Sequence, residues 1–162
     1  MEHVIIRTGI REDLPQVHGL VRELARFEKA EDQVITTAEQ FARDGFDSER
    51  PCFEFFVAEQ AGKIVGIAVF YFGYSTWKGK NLYLDDLFIT ESARRQGIAQ
   101  RLFDRLVAHA RAHDAQEMRW HVLDWNEPAI RLYEQIGASL DPEWITCKLN
   151  REQIRRSSET LP

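Results

Sequence analysis

Three groups of residues in this 162-residue sequence have the types and spacing for chemistry. The first is Arg94-Arg95-Gln96-Gly97-Ile98-Ala99, set between an apolar run and a stretch whose apolar residues Leu102, Phe103, Leu106, Val107 and Ala110 fall at helical spacing. Gly97 removes a side chain where that helix begins. The first amides of a helix have no partners within it, so they can point at an anion. The helix dipole and the charges of Arg94 and Arg95 add to the attraction, which implies a phosphate or pyrophosphate cradle. Taken alone, such a hexapeptide is explained equally well as a solvated basic loop. It lacks both the Gly-Lys-Ser/Thr ending of nucleotide hydrolases and the G-x-G-x-x-G fingerprint. The second group is Glu28, Asp85 and Asp86, carboxylates able to take or hold a proton. On a regular strand Asp85 and Asp86 face opposite sides, so at most one looks into a given cleft. The third is Tyr133, which by spacing alone is a half-buried core tyrosine with its hydroxyl at the edge.

The elements that must hold these residues follow from periodicity. His3 to Thr8 reads as a strand. Asp13 and Pro15 open a helix whose Leu14, Val17, Leu20, Val21, Leu24 and Phe27 share a face through Lys29. Thr36 or Thr37 caps a short second helix with Phe41 inward and Gly45 just past its end. Cys52 to Gln60 and Lys63 to Ser75 are strands joined by a hairpin at Ala61-Gly62. Gly79 breaks the chain before a strand from Asn81 to Thr90, and the helix from Ile98 packs back onto it. Glu117 to Leu123 is a further strand, parallel to the one before it because a helix intervenes. Asn126-Glu127-Pro128 starts a helix through Ile130, Leu132, Tyr133 and Ile136 that stops at Gly137. Trp144 to Leu149 reads as a last strand, and Arg151 to Pro162 as a frayed helix or tail. This order gives an α/β fold with a mixed central sheet flanked by helices. Residues 1–150 form a single domain and 151–162 a C-terminal tail.

At 18.9 kDa, with 44% hydrophobic and 29% charged residues, the chain is of a size and composition for one globular domain. No apolar run approaches the roughly 20 residues that span a bilayer, and the N-terminus lacks the apolar core of a signal peptide, so the expectation is a cytoplasmic protein without membrane contact. A net charge of -5 argues against a nucleic-acid partner and tolerates a cationic small molecule. Cys52 and Cys147 belong to no paired motif, and His18, His109 and His113 have no partners at ligand spacing, so no metal is expected.

The pattern Arg94-x-x-Gly97-x-Ala99, after an apolar strand and opening a helix, resembles the pyrophosphate-binding turn of the GNAT N-acetyltransferase superfamily, and the order of elements resembles the GNAT fold over nearly the full length. Ala25-Arg26-Phe27-Glu28-Lys29, Tyr74-Ser75-Thr76-Trp77-Lys78-Gly79, Leu82-Tyr83-Leu84-Asp85-Asp86 and Val122-Leu123-Asp124-Trp125-Asn126-Glu127-Pro128 resemble the diamine acetyltransferase subfamily of spermidine/spermine acetyltransferase and its thialysine-acetylating relative. Phe27-Glu28-Lys29, Ser75 to Gly79 and Leu123 to Asn126 sit closer to the thialysine branch.

The resemblance implies acetyl-CoA as cosubstrate and direct transfer to a small primary amine: a polyamine, a diamine, thialysine or a lysine-like molecule. It puts Arg94, Arg95, Gln96, Gly97, Ile98, Ala99 and Gln100 around the pyrophosphate, and Asn126, Glu127, Pro128 and Ala129 along the pantetheine arm. Backbone amides of Leu87, Phe88 and Ile89 fall at the thioester carbonyl. Tyr133 occupies the position of the family's proton donor and Asp85 that of its substrate-side glutamate. Phe27, Glu28, Asp85, Arg119, Trp120 and His121 line the amine channel, with Phe27, Trp120 and His121 departing from the polyamine branch. A homodimer is also implied, exchanging elements near the C-terminal strands. The chemistry sets its own demand: freeing a lysine-like amine of its proton at pH 7 costs about 4.6 kcal/mol unless the site helps. Acetylation of a protein lysine or N-terminus is a second reading, and a non-catalytic acetyl-CoA-binding module a third.

Overall fold

A computed structural model describes residues 3–160. One five-stranded sheet runs in the order β1 (Val4–Thr8), β2 (Glu54–Gln60), β3 (Lys63–Ser75), β4 (Gly79–Ile89) and β5 (Glu117–Arg119). The helices are α1 (Leu14–Phe27), α2 (Ala38–Gly45), α3 (Ile98–Ala112), α4 (Glu127–Gln135) and α5 (Arg151–Thr160). The first four strands pair antiparallel, and β5 joins β4 in parallel after the α3 crossover, the mixed sheet that the sequence predicts. The chain divides between His121 and Val122 into two compact units, and the sheet lies in the first. Among the described residues no helix is long and apolar enough to cross a membrane.

The two faces of the sheet are filled differently. Leu14, Val17 and Leu20 of α1 pack with Phe55, Val57, Ile67, Val69 and Phe88 on one face. Side chains alternate along a strand, so Phe56 and Phe70 turn to the other face, where their rings meet His109 of α3 at 5.3 and 5.2 Å. Each large apolar side chain so buried contributes roughly 1.5–3 kcal/mol. The start of α1 is fixed by Asp13, whose carboxylate accepts from Arg7 Nη1 and Nη2 at 2.7 and 2.8 Å and from the Ile10 amide at 2.9 Å. Thr37 caps α2 by accepting from the Gln40 amide, and the Ala61-Gly62 hairpin sets Gln60 opposite Lys63 with both turn residues at positive φ, as tight hairpin turns require.

Several boundaries differ from the sequence reading: β2 begins at Glu54 rather than Cys52, α1 ends at Phe27 rather than Lys29, and β4 ends at Ile89 rather than Thr90. Gly45 is the last residue of α2 rather than the one after it. Gly79 does not precede the strand but opens it, at φ 94° and paired with Ser75; the break is the turn Thr76 to Lys78, where Ser75 Oγ accepts from the Trp77 and Lys78 amides. β5 stops at Arg119 instead of Leu123, because only Glu117, Met118 and Arg119 find partners on β4. Trp144 to Leu149 forms no strand: no ladder among the described residues reaches it, and Trp144, Ile145 and Leu149 lie exposed. Arg151–Thr160 is helical, while the last two residues of the expected tail lie outside the described residues.

Candidate active site

A bulge in β4 organises the carboxylates. Val69 stands opposite Asp86 and Phe70 opposite Leu84, so Asp85 is an extra residue without a partner on β3. Tyr83, opposite Tyr71, and Asp86, opposite Val69, therefore both look to the α1 face, and Asp85 between them does too. The expectation that Asp85 and Asp86 face opposite sides fails here, because the inserted residue resets the alternation. Burial, together with the charges of Asp85 and of Glu28 at the end of α1, pushes the Asp86 carboxyl up to about 7. Loss of hydration also raises Asp85, against a smaller lowering by His121, and raises Glu28. Three carboxyls thus share one face, and Asp86 titrates near neutrality.

Aromatic rings and cations border them on the same face. Tyr71 stacks on Tyr83 with centroids 5.0 Å apart, and the Tyr83 hydroxyl shares a hydrogen bond with His121 Nδ1. Burial raises both phenols, which therefore stay protonated. Arg119 lies beside Tyr83 in the parallel ladder, on the same face. Trp120 goes the other way and meets Phe103 of α3 edge-on at 5.4 Å. Of the three β5-side residues expected along the amine channel, Arg119 and His121 share the face of Asp85, and Trp120 does not. Sequence reasoning counted Asp86 among the candidate carboxylates but gave the substrate-side role to Asp85, and it did not single out Tyr71 or Tyr83, because a bulge leaves no mark in residue type.

The far half of β4 supplies the second part. Beyond Tyr83 no strand among the described residues pairs with the β5 side of β4, so alternate backbone groups along Leu87, Phe88 and Ile89 face an open edge. The chain then turns through Arg95 (φ 62°) and Gly97 (φ 73°) into α3. The first helical bond there runs from the Arg101 amide to the Gly97 carbonyl, which leaves the amides of Ile98, Ala99 and Gln100 at the open end of a 15-residue helix. Nothing lies within 4 Å of the space above Gly97. Arg95 and Gln96 are exposed beside it. Arg94 is partly committed: its Nε donates to the Ile89 carbonyl at 3.1 Å and its guanidinium covers the rings of Phe27 and Phe88 at 5.4 and 5.6 Å. An extended diphosphate fits such a turn, since open amides and two cations answer its charge.

In the second unit, Asn126 caps α4 by accepting from the Ala129 amide at 3.4 Å, and Glu127 and Pro128 fill the first turn. Tyr133, one and a half turns further on, is 7% exposed, and burial raises its hydroxyl above the usual tyrosine range. It is thus a buried phenol that keeps its proton at neutral pH. Among the described residues no group of three His, Cys, Asp or Glu side chains is placed to hold a metal ion.

Comparison with known proteins bears on the family and the fold. A thialysine N-epsilon-acetyltransferase of Bos taurus is 38% identical over 146 residues, covering 85% of each chain, and one of Caenorhabditis elegans is 32% identical over 98% of this chain and 99% of its own. Among solved structures, an integron cassette protein from the mobile metagenome of V. cholerae superposes with a TM-score of 0.78 over 97% of this chain and 98% of its own, at 24% identity, a likeness of fold. Residues 17–138 match the sequence profile of the Acetyltransferase (GNAT) family. With that profile matched over most of its length and relatives more than 30% identical, the chain belongs to the GNAT acetyltransferases.

Proposed function

We propose that this protein transfers an acetyl group from acetyl-CoA directly to a small primary amine of the diamine, thialysine or lysine-like kind. The observation that carries the reading is the carboxyl cluster on one face of β4, with Asp86 held near 7. A lysine-like ammonium has to be attracted and then freed of its proton, and a cluster of carboxylates with one member titrating near neutrality does both. Asp85, at the bulge, holds the ammonium. Asp86 takes the proton, directly or through water, with Glu28 keeping its affinity for that proton high.

Acetyl-CoA supplies the acetyl group as a thioester. The amides of Ile98, Ala99 and Gln100, with Arg95, Gln96 and Gly97 and the partly committed Arg94, bind its pyrophosphate. Asn126, Glu127, Pro128 and Ala129 follow its pantetheine arm. Amides along Leu87, Phe88 and Ile89 donate to the carbonyl oxygen as it gains charge. The amine nitrogen forms a bond to the acetyl carbon, the carbon–sulfur bond breaks, and the Tyr133 hydroxyl protonates the departing thiolate. Phe27 and the Tyr71–Tyr83 stack provide apolar walls for the amine's carbon chain. Homodimerisation through the exposed 140–154 segment completes the reading.

Thiol release from acetyl-CoA, measured over spermidine, short diamines, thialysine, lysine and a lysine peptide, tests it. Transfer to free small amines is expected, with turnover lowered about 10²-fold or more in Tyr133→Phe at unchanged acetyl-CoA affinity. Preference for the peptide would move the assignment to protein acetylation.

A further inference from the structure

The face of the sheet under α3 holds a titratable group that acetyl transfer does not use. His109 lies on the sheet side of α3, its side chain 18% exposed, among the rings of Phe56, Phe70 and Phe72 at 5.3, 5.2 and 5.7 Å. Its Nε2 atom is buried and makes no hydrogen bond. The Glu54 carboxylate stands 3.5 Å from that nitrogen and is itself half-exposed. A neutral imidazole suits such a place, whereas a charged one needs hydration that phenyl rings do not give. Two of the three rings already carry a cation over a face: Arg105 covers Phe56 at 5.2 Å and Lys80 covers Phe72 at 4.3 Å.

The charges that face His109 come from few elements. β2 brings Glu54, β4 brings Lys80, and α3 itself brings Arg105 and His113, whose ring lies 4.1 Å from that of His109. β3 offers Phe70 and Phe72, β1 turns Ile6 and Thr8 to this side, and β5 turns Met118 here and Glu117 and Arg119 to the other face. Burial, and then the charge of His113, hold the His109 imidazole below its ordinary value of 6.5; Glu54 works against this, and Arg105 and Lys80 add to it. We propose that His109 is an acid-release latch: its neutral ring docks the C-terminal half of α3 on the sheet, and a proton on it, faced by Lys80 and Arg105 and answered by Glu54 alone, releases that half. The earlier half has its own hold, since Leu102 and Leu106 are fully buried and Arg101 Nη2 donates to the Val4 carbonyl at 2.9 Å. The last turn leans on the pair, for His113 Nδ1 donates to the His109 carbonyl at 2.9 Å. A histidine whose folded value is lowered binds its proton less tightly when folded, so the latch is complete above 6.5 and is lost as pH falls toward the folded value. It stands independently of the acetyl-transfer reading.

Hydrogen exchange and urea unfolding of the full chain, both followed from pH 8 to pH 5, test the latch. In the wild type, protection of the amides from Leu106 to Ala112, corrected for intrinsic exchange rates, should fall severalfold relative to β3 as the pH drops. His109→Leu and His109→Gln, one apolar and one polar but neither able to titrate, should keep that protection level and gain stability on the wild type as pH falls. Comparison at each pH cancels Asp86, which both proteins share and whose effect has the opposite sign. Glu54→Gln removes the answering charge and should deepen the loss. The same pH dependence in the wild type and in either folded His109 variant overturns the proposal, as does α3 protection that tracks β3 at every pH.

Discussion

At neutral pH the Asp86 carboxyl is divided between its two protonation states, because burial and two neighbouring carboxylates resist its ionisation. Two consequences separate its chemistry from its energetics. As the proton acceptor it makes kcat/KM rise as pH passes through about 7, and Asp86→Asn is expected to abolish that limb and to lower activity 10²-fold or more, read from pH–rate profiles. For stability the sign is opposite. A carboxyl whose folded pKa is raised binds its proton more tightly when folded, so the protein loses stability as pH climbs from the ordinary aspartate range toward 7. Asp86→Asn should therefore melt above the wild type at pH 8, with the gap closing as the pH falls to 4. A variant that is inactive yet more stable at pH 8 is the signature of a group kept for function.

Helix α1 matters to the site because it ends at Glu28, and its other end is held by Asp13. The Arg7 guanidinium holds the Asp13 carboxyl below the usual carboxylate range, and the Ile10 amide adds to this against the cost of burial. Because the folded pKa is depressed, this contribution is complete above the ordinary aspartate value near 3.9 and is lost as pH falls through the lower folded value. Asp13→Ala should cost about 2 kcal/mol at pH 7, since Arg7 keeps Glu59 at 2.8 Å and some access to water. Denaturant titration at pH 7 and at pH 3 checks this: the difference from wild type should shrink at the lower pH.

The exposed apolar residues Leu140, Trp144, Ile145, Leu149 and Ile154 gather in one stretch of the second unit. So much apolar surface in a short segment marks an interaction surface. With a strand-like sequence that no ladder among the described residues reaches, a second copy of the chain is the partner proposed. Light scattering should give twice 18.9 kDa for the wild type and a lower mass for Trp144→Asp. A monomeric wild type would reject the dimer.

Features carried by local chemistry were legible in the chain itself. Thr37 and Asn126 cap helices because their side-chain oxygens reach nearby helix amides, Ala61-Gly62 turns because Gly62 accepts positive φ without strain, and Gly97 opens α3 for the same reason. The Arg94 to Ala99 turn and the four separated stretches of diamine-acetyltransferase type led to the same family as the sequence comparisons. What the chain could not reveal depends on partners distant in sequence. Whether Asp86 joins Asp85 is decided by where β3 accepts an extra residue, between Val69 and Phe70. Whether β5 extends, or Trp144 to Leu149 becomes a strand, depends on a neighbouring strand's presence. Residue types set what a side chain can do; only the register of the sheet decides which of them face each other and which charges they must share.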